Sequence, residues 1–196
     1  MKKRKIPILL ILGIVLILSS LTMVIVLQLQ AQQGVAKSQK VMAKMEELLP
    51  ERSRGTPGLY SNTQMPVLNI EGTDYVSMLQ VPGFDVALPV ADHWNPDRLA
   101  EGPARFCGSA YDHTLVIGGT DYEKQLAFCG RIENGAVITL TDMTGAEFFY
   151  TVAKVERSTK AEQGWLADSE YDLTLFCRAT YSMEYIAVRC NYRANG

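Results

Sequence analysis

A long uncharged stretch near the N terminus constrains this 196-residue chain most strongly. Residues 6–27 contain no charged side chain and directly follow the basic cluster at residues 2–5. A helix of this length can cross a hydrocarbon layer of about 30 Å, whereas a cleavable signal has a shorter apolar core of about 7–15 residues. We therefore predict a cytoplasmic basic tail over residues 1–5 and a transmembrane anchor over residues 6–29. A cleaved signal peptide is the alternative, although residues 28–31 offer no convincing cleavage site.

The charge distribution supports this orientation. Four of the 19 Lys and Arg residues precede the apolar stretch and none of the 21 Asp and Glu residues does. Basic flanks stay in the cytoplasm, so the remainder of the chain is predicted to lie outside it, attached to the cell membrane by a single pass. That remainder is acidic, which argues against nucleic acid as a partner because nucleic-acid binding needs a basic surface.

Four cysteines and two histidines are the candidate metal ligands. Cys107, Cys129, Cys177 and Cys190 are too far apart in sequence for a zinc knuckle, and the histidines are not spaced as ligands. We expect no metal and no cofactor. An exported domain can form disulfides, but four cysteines allow three complete pairings and the sequence does not choose among them.

The rest of the chain divides at residue 65. Residues 30–49 carry an apolar stripe spaced by three and four, which predicts a stalk helix that leaves the membrane or packs on the domain. Pro50 and the Pro57-Gly58 pair indicate a linker, so residues 30–64 form stalk and linker. Residues 65–196 form one domain of short β-rich runs, with a short helix predicted over residues 124–132. The predicted strands are residues 75–81, 86–90, 114–117 (ending at Gly118-Gly119), 136–140, 147–155, 172–177 and 185–190. Many short strands with little helix favour a closed barrel or a sandwich.

Several of these segments, taken in order, resemble the sortases, cysteine transpeptidases that attach proteins to Gram-positive cell walls. The matching segments are residues 78–82 (MLQVP), 87–90 (ALPV), 115–118 (LVIG), 128–132 (FCGRI), 172–176 (DLTLF) and 188–190 (VRC). The pattern is most similar to class B and covers roughly residues 69–192. The resemblance implies an all-β fold, an eight-stranded barrel with short helices and a peptide-binding groove, here preceded by the transmembrane helix.

The resemblance also implies where the chemistry would lie. Sortase catalysis needs a thiolate nucleophile, a histidine acid and an arginine that stabilises the oxyanion. In this chain the histidine position is Gly119, the nucleophile position is Arg178 and the arginine position is Tyr185. All three roles are lost together. The resemblance therefore implies a domain that has no transpeptidase activity, degenerate at its catalytic positions.

Cys177 offers the alternative, an active transpeptidase with its nucleophile displaced by one residue. Strand alternation opposes it, because residues 174, 176 and 178 share one face while residues 173, 175 and 177 share the other. No histidine is close either: His113 lies at the opposite end of its short strand, about 20 Å from Gly119. We therefore interpret Cys177 as a packed or disulfide-bonded residue.

Other conspicuous side chains have structural interpretations. We expect Trp94 and Trp165 to anchor loops over the core and Arg189 to pair with an acid near the last strand. With no histidine side chain at residue 119, space should open there, and Arg178 should be partly buried in it. A buried guanidinium needs a partner. The candidates are Glu184, Asp121, the Tyr185 hydroxyl or a carboxylate of a bound peptide.

Three functions follow from this sequence. The first is a non-catalytic sortase-like domain that binds a surface-protein peptide or an envelope protein. The second is a transpeptidase with relocated catalytic groups, and the third is a structural scaffold without a ligand. The loss of all three catalytic residue types favours the first over the second. An open cleft around Gly119, Arg178 and Tyr185 would favour binding, and a filled one would favour a scaffold.

Overall fold

The computed structural model describes residues 8–168, 170–179 and 182–194. The predicted tail at residues 1–5 and the first two residues of the predicted anchor lie outside this part. Helix α1 (Ile8–Leu48) is a single helix of 41 residues. It contains both the apolar stretch, whose side chains are described from Leu10 to Val26, and the predicted stalk. Within the described residues, no helix combines the length and the hydropathy that a membrane span requires.

Eight strands close into a barrel within the part of the chain that the structure describes. They are β3 (Thr73–Val81), β4 (Val86–Ala91), β5 (Ala104–Cys107), β6 (Leu115–Thr120), β7 (Val137–Asp142), β8 (Ala146–Ser158), β9 (Leu173–Arg178) and β10 (Tyr185–Tyr192). Around the barrel their order is β3-β4-β5-β6-β9-β10-β8-β7, and β7 pairs again with β3. Two short strands extend it: β1 (Ser53–Arg54) pairs with β8, and β2 (Leu68–Ile70) pairs with β3. The predicted eight-stranded barrel is confirmed.

Alternation along the strands builds the barrel interior. In β8, Ala146, Phe148, Tyr150 and Val152 are buried while the residues between them are partly exposed. Successive side chains of a strand point to opposite faces, so each strand contributes every second residue to one core. Inward residues of the other strands complete that core: Leu79, Leu88, Ile117, Ile138, Leu175 and Val188.

The C-terminal half of α1 packs on the outside of the barrel. Val41, Met42 and Met45 are buried against a second apolar cluster that includes Ile70 and Met78. These helix residues belong to the apolar stripe of the predicted stalk. The stalk is therefore packed on the domain.

Four short helical segments connect strands within the described residues, and one of them is a 3₁₀ turn at Pro82–Phe84 between β3 and β4. A 3₁₀ turn, Leu126–Gly130, stands where a short helix was predicted. Helix α2 (Gln163–Leu166) lies between β8 and β9. A 3₁₀ turn at Pro96–Arg98 precedes β5, a strand that the sequence did not predict.

Candidate functional site

The three positions singled out by the sequence come together at one end of three adjacent strands. β6 runs parallel to β9, which places Gly119 beside Cys177 and Thr120 beside Arg178. β10 runs antiparallel to β9 and places Tyr185 opposite Arg178. Residues distant in sequence are therefore neighbours across two strand pairs.

Arg178 is exposed, in contrast to the partial burial that we predicted. It is the last residue of β9, where the strand leaves the barrel, so its side chain extends toward solvent. Its guanidinium carbon lies 5.8 Å from the centroid of the Tyr185 ring. The tyrosine therefore contacts this arginine through its ring face, a cation–π arrangement. Glu184, one of the proposed partners, lies 3.9 Å from Arg157.

The position of Gly119 is filled, so the predicted open space beside it is wrong. A Cβ atom added there would lie 2.9 Å from Leu126 Cδ1 and 3.4 Å from Pro103 Cα. Leu126 is completely buried. A leucine from the 3₁₀ turn thus occupies the space into which a larger side chain at residue 119 would point.

Cys177 faces the barrel interior. Its exposure is 0%, and it packs in the same core as Leu173 and Leu175. Its Sγ atom donates a weak hydrogen bond to the Leu126 carbonyl at 3.7 Å. Strand alternation predicted this orientation, which turns the thiol away from the outer face that Arg178 and Phe176 share.

An aromatic cluster covers the middle of the outer face, the side of β6, β9 and β10 that points away from the barrel interior. The rings of Trp94, Phe106 and Phe176 pack against one another, with centroids 5.3–5.5 Å apart. A Cβ atom at Gly118 would collide with the rings of Phe176 and Trp94, so only glycine permits this close approach. Both tryptophans lie in this cluster, to which α2 adds Leu166 and Trp165.

Arg189 fixes α2 on the outer face. Its side chain is completely buried, and its Nε atom donates to Glu156 Oε2 at 3.1 Å. One terminal nitrogen donates to Thr174 Oγ1 and to the Leu166 carbonyl, and the other donates to the Trp165 carbonyl. The predicted pairing with an acid is present. The additional bonds to α2, invisible in the sequence, close the outer face.

A cleft of about 400 Å³ opens beside the aromatic cluster. It contains an ion pair between Asp92 and Arg105, and His93 Nδ1 lies 2.9 Å from Asp92 Oδ2. Cys107 is half-buried at its wall, and burial raises the pKa of its thiol. Sequence reasoning missed this group because β5, which carries Arg105 and Cys107, was not predicted.

The remaining histidine lies far from these positions. His113 is exposed at the start of β6, and its Nδ1 lies 2.8 Å from Asp172 Oδ1. Across the described ranges, no group of three or more His, Cys, Asp or Glu side chains is arranged to hold a metal ion.

Comparison with known proteins identifies the architecture. No protein-family model and no curated protein matches the chain. Among solved structures, sortase A from Corynebacterium diphtheriae matches with a TM-score of 0.55 at 16% identity, over 85% of each chain. Sortase C from Clostridium perfringens SM101 matches with a TM-score of 0.54 at 17% identity, over 62% of this chain and 71% of that one. Sortase A from Listeria monocytogenes matches with a TM-score of 0.52 at 18% identity, over 61% of this chain and 87% of that one. The chain therefore has the sortase fold.

Proposed function

We propose that this protein is a sortase-like domain without transpeptidase activity, which binds a partner protein at the surface of a Gram-positive-type cell. One observation carries the proposal: an exposed arginine, Arg178, stacks on Tyr185 where the resemblance to sortases places the nucleophile and the oxyanion arginine. A guanidinium cannot attack a carbonyl, and a tyrosine can donate a hydrogen bond but lacks the positive charge that the arginine of a sortase supplies.

The surroundings of these residues also argue against a relocated reaction. Gly119 has no proton to donate, and Leu126 blocks the approach of another side chain from that direction. Cys177 is buried on the opposite side of β9, and an attacking thiol must reach its substrate. The alternative of an active sortase with Cys177 as nucleophile is therefore disfavoured.

The partner that fits this site carries a carboxylate. The guanidinium of Arg178 is exposed and held over a ring, so its fork of donors can bind a carboxylate in bidentate geometry. The aromatic cluster closes the middle of the outer face. The peptide or envelope protein would accordingly bind at the strand ends, on the rim formed by the exposed Arg178 and the half-buried Tyr185.

The same proposal places the domain outside the cytoplasm on a single membrane pass. It is supported by the uncharged residues 6–27 and by the basic cluster before them. It is also supported by the apolar side chains between Leu10 and Val26, each of which is at least 42% exposed; the other residues of that range are Gly13, Ser19, Ser20 and Thr22. An apolar helix surface of this kind is stable in lipid and costly in water.

Activity is tested with the full-length chain in detergent micelles. Sorting-signal peptides and an amine acceptor are incubated with the protein, with an active sortase as positive control, and products are followed by mass spectrometry. We expect no cleavage above the rate without protein, because losing nucleophile and acid removes several orders of magnitude of rate. Turnover that Cys177→Ala abolishes and Cys190→Ala preserves would establish the active alternative.

Binding is tested by capture of envelope proteins on the full-length chain. Arg178→Ala should lose the captured partner and leave the unfolding midpoint unchanged. Arg131→Ala is the matched control, because Arg131 is also exposed and lies 5.9 Å from the ring centroid of Phe84. Unchanged capture by the Arg178 variant would exclude this site.

A scaffold without a ligand is the second candidate, and two observations favour it: Leu126 fills the space beside Gly119, and the aromatic cluster closes the outer face. The two candidates differ in what Arg178 does. If Arg178→Ala lowers the unfolding midpoint and captures the same proteins, the arginine stabilises the fold and the scaffold function holds.

A further inference from the structure

Three of the four cysteines lie inside the barrel. Cys129, Cys177 and Cys190 each have 0% exposure and belong to the main core, whereas Cys107 is half-buried beside the outer aromatic cluster. The location of Cys107 separates it from the other three. The possible pairings within the core are therefore restricted to three thiols.

The 3₁₀ turn Leu126–Gly130 brings one of these thiols to β9. Side chains three residues apart in a 3₁₀ helix lie on one face, so Leu126 and Cys129 face the same strands. Leu126 packs against Gly119, and its carbonyl accepts a hydrogen bond from Cys177 Sγ at 3.7 Å. Gly119 is in turn the register partner of Cys177. The turn thus lies directly on the point of β9 that carries Cys177.

Burial raises the pKa of the Cys129 thiol, and the neighbouring thiol of Cys177 raises it further. In the structure both cysteines are free thiols. Cys190 instead donates to the carbonyl of Val188 on its own strand, at 3.8 Å. Of the two other core thiols, Cys177 therefore influences Cys129 more strongly than Cys190 does.

We propose that Cys129 and Cys177 form a disulfide bond in the exported protein. This inference rests on the proposed extracytoplasmic location, because disulfides persist in oxidising compartments. It selects one bond from the pairings that the sequence leaves open. It also gives Cys177 a structural role at the residue where the active alternative would place a nucleophile.

The reaction is a thiol–disulfide exchange with an exported oxidant that carries a disulfide. The thiolate of one cysteine attacks a sulfur of the oxidant and forms a mixed disulfide, which releases one thiol of the oxidant. The second cysteine thiolate then attacks the protein sulfur of that mixed disulfide and releases the other thiol. The two cysteines lose two electrons and two protons, and the oxidant gains both. Because both thiols are buried in the finished barrel, the exchange takes place while the chain folds.

The bond would be mapped on full-length protein taken from cells. Cells are quenched in acid, the protein is unfolded and alkylated with N-ethylmaleimide, and its peptides are analysed without reduction. We expect a linked pair of peptides that contain Cys129 and Cys177, with Cys107 and Cys190 alkylated. Cys190→Ser should keep the linked pair, and Cys129→Ser should leave Cys177 alkylated. Alkylation of both residues in the wild type, or a bond of either one to Cys190 or Cys107, would overturn the proposal.

A second experiment tests whether the disulfide forms independently of the proposed extracytoplasmic location. Reduced full-length protein is unfolded and refolded in detergent micelles with a mixture of reduced and oxidised glutathione. Formation of the bond there and its absence in cells would show that the two cysteines pair and that the proposed location is wrong. Absence in both settings would refute the disulfide and leave the proposed binding function standing.

Discussion

Arg189 is the residue on which the closed outer face depends. A buried guanidinium is costly unless its donors are paired, and here a carboxylate, a hydroxyl and two carbonyl oxygens accept from it. The rings of Trp165 and Tyr171 lie 5.0 and 5.8 Å from its guanidinium carbon. One side chain thus joins β8, β9, β10 and α2.

Arg189→Met should destabilise the protein strongly. The methionine fills part of the volume, but the carbonyl oxygens of Trp165 and Leu166 lose their donor, which we expect to cost about 2–4 kcal/mol. Urea unfolding followed by tryptophan fluorescence measures the change. Arg131→Met is the control on an exposed arginine, with a change within about 0.5 kcal/mol. Equal midpoints for the two variants would show that Arg189 does not hold α2.

Helix α1 packs closely on the loop before β5. A Cβ atom at Gly34 would collide with the carbonyl oxygen of Ala100, so the helix passes directly over this loop. Ser38 Oγ donates to the Glu101 carbonyl at 2.9 Å, and Lys37 pairs with the Glu101 carboxylate. A glycine in a helix costs about 1 kcal/mol of helix propensity relative to alanine, and here close packing explains it.

Gly34→Ala should therefore separate α1 from the barrel although alanine favours helix. We expect a loss of about 1–3 kcal/mol, because overpacking against a backbone carbonyl cannot be relieved by a rotamer change. Gly13→Ala is the matched control in the same helix, since nothing lies within 4 Å of its added Cβ. The melting temperatures of both variants measure this difference. A Gly34→Ala variant as stable as the Gly13→Ala variant would show that α1 does not pack closely on this loop.

Ion pairs to α1 make its docking sensitive to acid. Hydrogen bonds from Lys40 and Lys44, strengthened by their charges, lower the pKa of Glu71 to about 2. A carboxyl group whose pKa is lowered by folding stabilises the fold above its unfolded pKa, here 4.5, and loses that contribution as the pH falls toward 2. Burial raises the pKa of Glu101, but its bonds to Lys37 and Arg98 prevail and lower it, so its contribution has the same sign.

The melting temperature should consequently fall as the pH is lowered from about 6 to about 3. Glu71→Gln cannot titrate at this position, so its melting temperature should fall less over the same range. Added salt should reduce the difference, because exposed ion pairs are screened. Parallel curves for the wild type and the variant would show that Glu71 contributes nothing to the docking of α1.

The elements that the sequence predicted well are those with strong alternation. Residues 147–155 alternate clearly and became β8, whereas β5 has only four residues, includes Arg105 and lies between Pro103 and Gly108. The Gly118-Gly119 pair resembled a strand end because glycine weakens strands. It lies instead inside β6, where the rings of Phe176 and Trp94 need the space at Gly118 and Leu126 needs the space at Gly119. Such contacts join residues far apart in sequence and leave no local pattern.

In the candidate site, too, the sequence predicted the features that depend on a local pattern and missed those that depend on distant contacts. Alternation along β9 placed Cys177 inward and Arg178 outward without any structure. The filling of the space at Gly119 by Leu126 depends on how the 3₁₀ turn folds over β6 and β9, which no spacing in the sequence encodes. The Arg178–Tyr185 stack similarly depends on the register of β9 and β10.

For the whole molecule, the proposed topology predicts how intact cells respond to protease. Added protease should digest the barrel and leave an N-terminal epitope tag protected, because the basic end faces the cytoplasm. Replacing Leu16 and Ile17 by arginine should release the protein from membranes, since each buried charge costs about 2.5–3.5 kcal/mol at the centre of a span. Recovery of a soluble protein from the medium with its N terminus near residue 31 would contradict the anchor.

Because α1 is one unbroken helix, it limits how far the barrel can stand from the membrane. From residue 27, the end of the apolar stretch, to Gly34, which packs on the loop before β5, a helix rises only about 10 Å. With the proposed anchor in place, the barrel would stand at a fixed height close to the bilayer and could not swing outward as it would on a flexible tether. A partner would have to approach the membrane to meet the barrel, so the protein would select for segments that emerge near the lipid surface over those displayed further out.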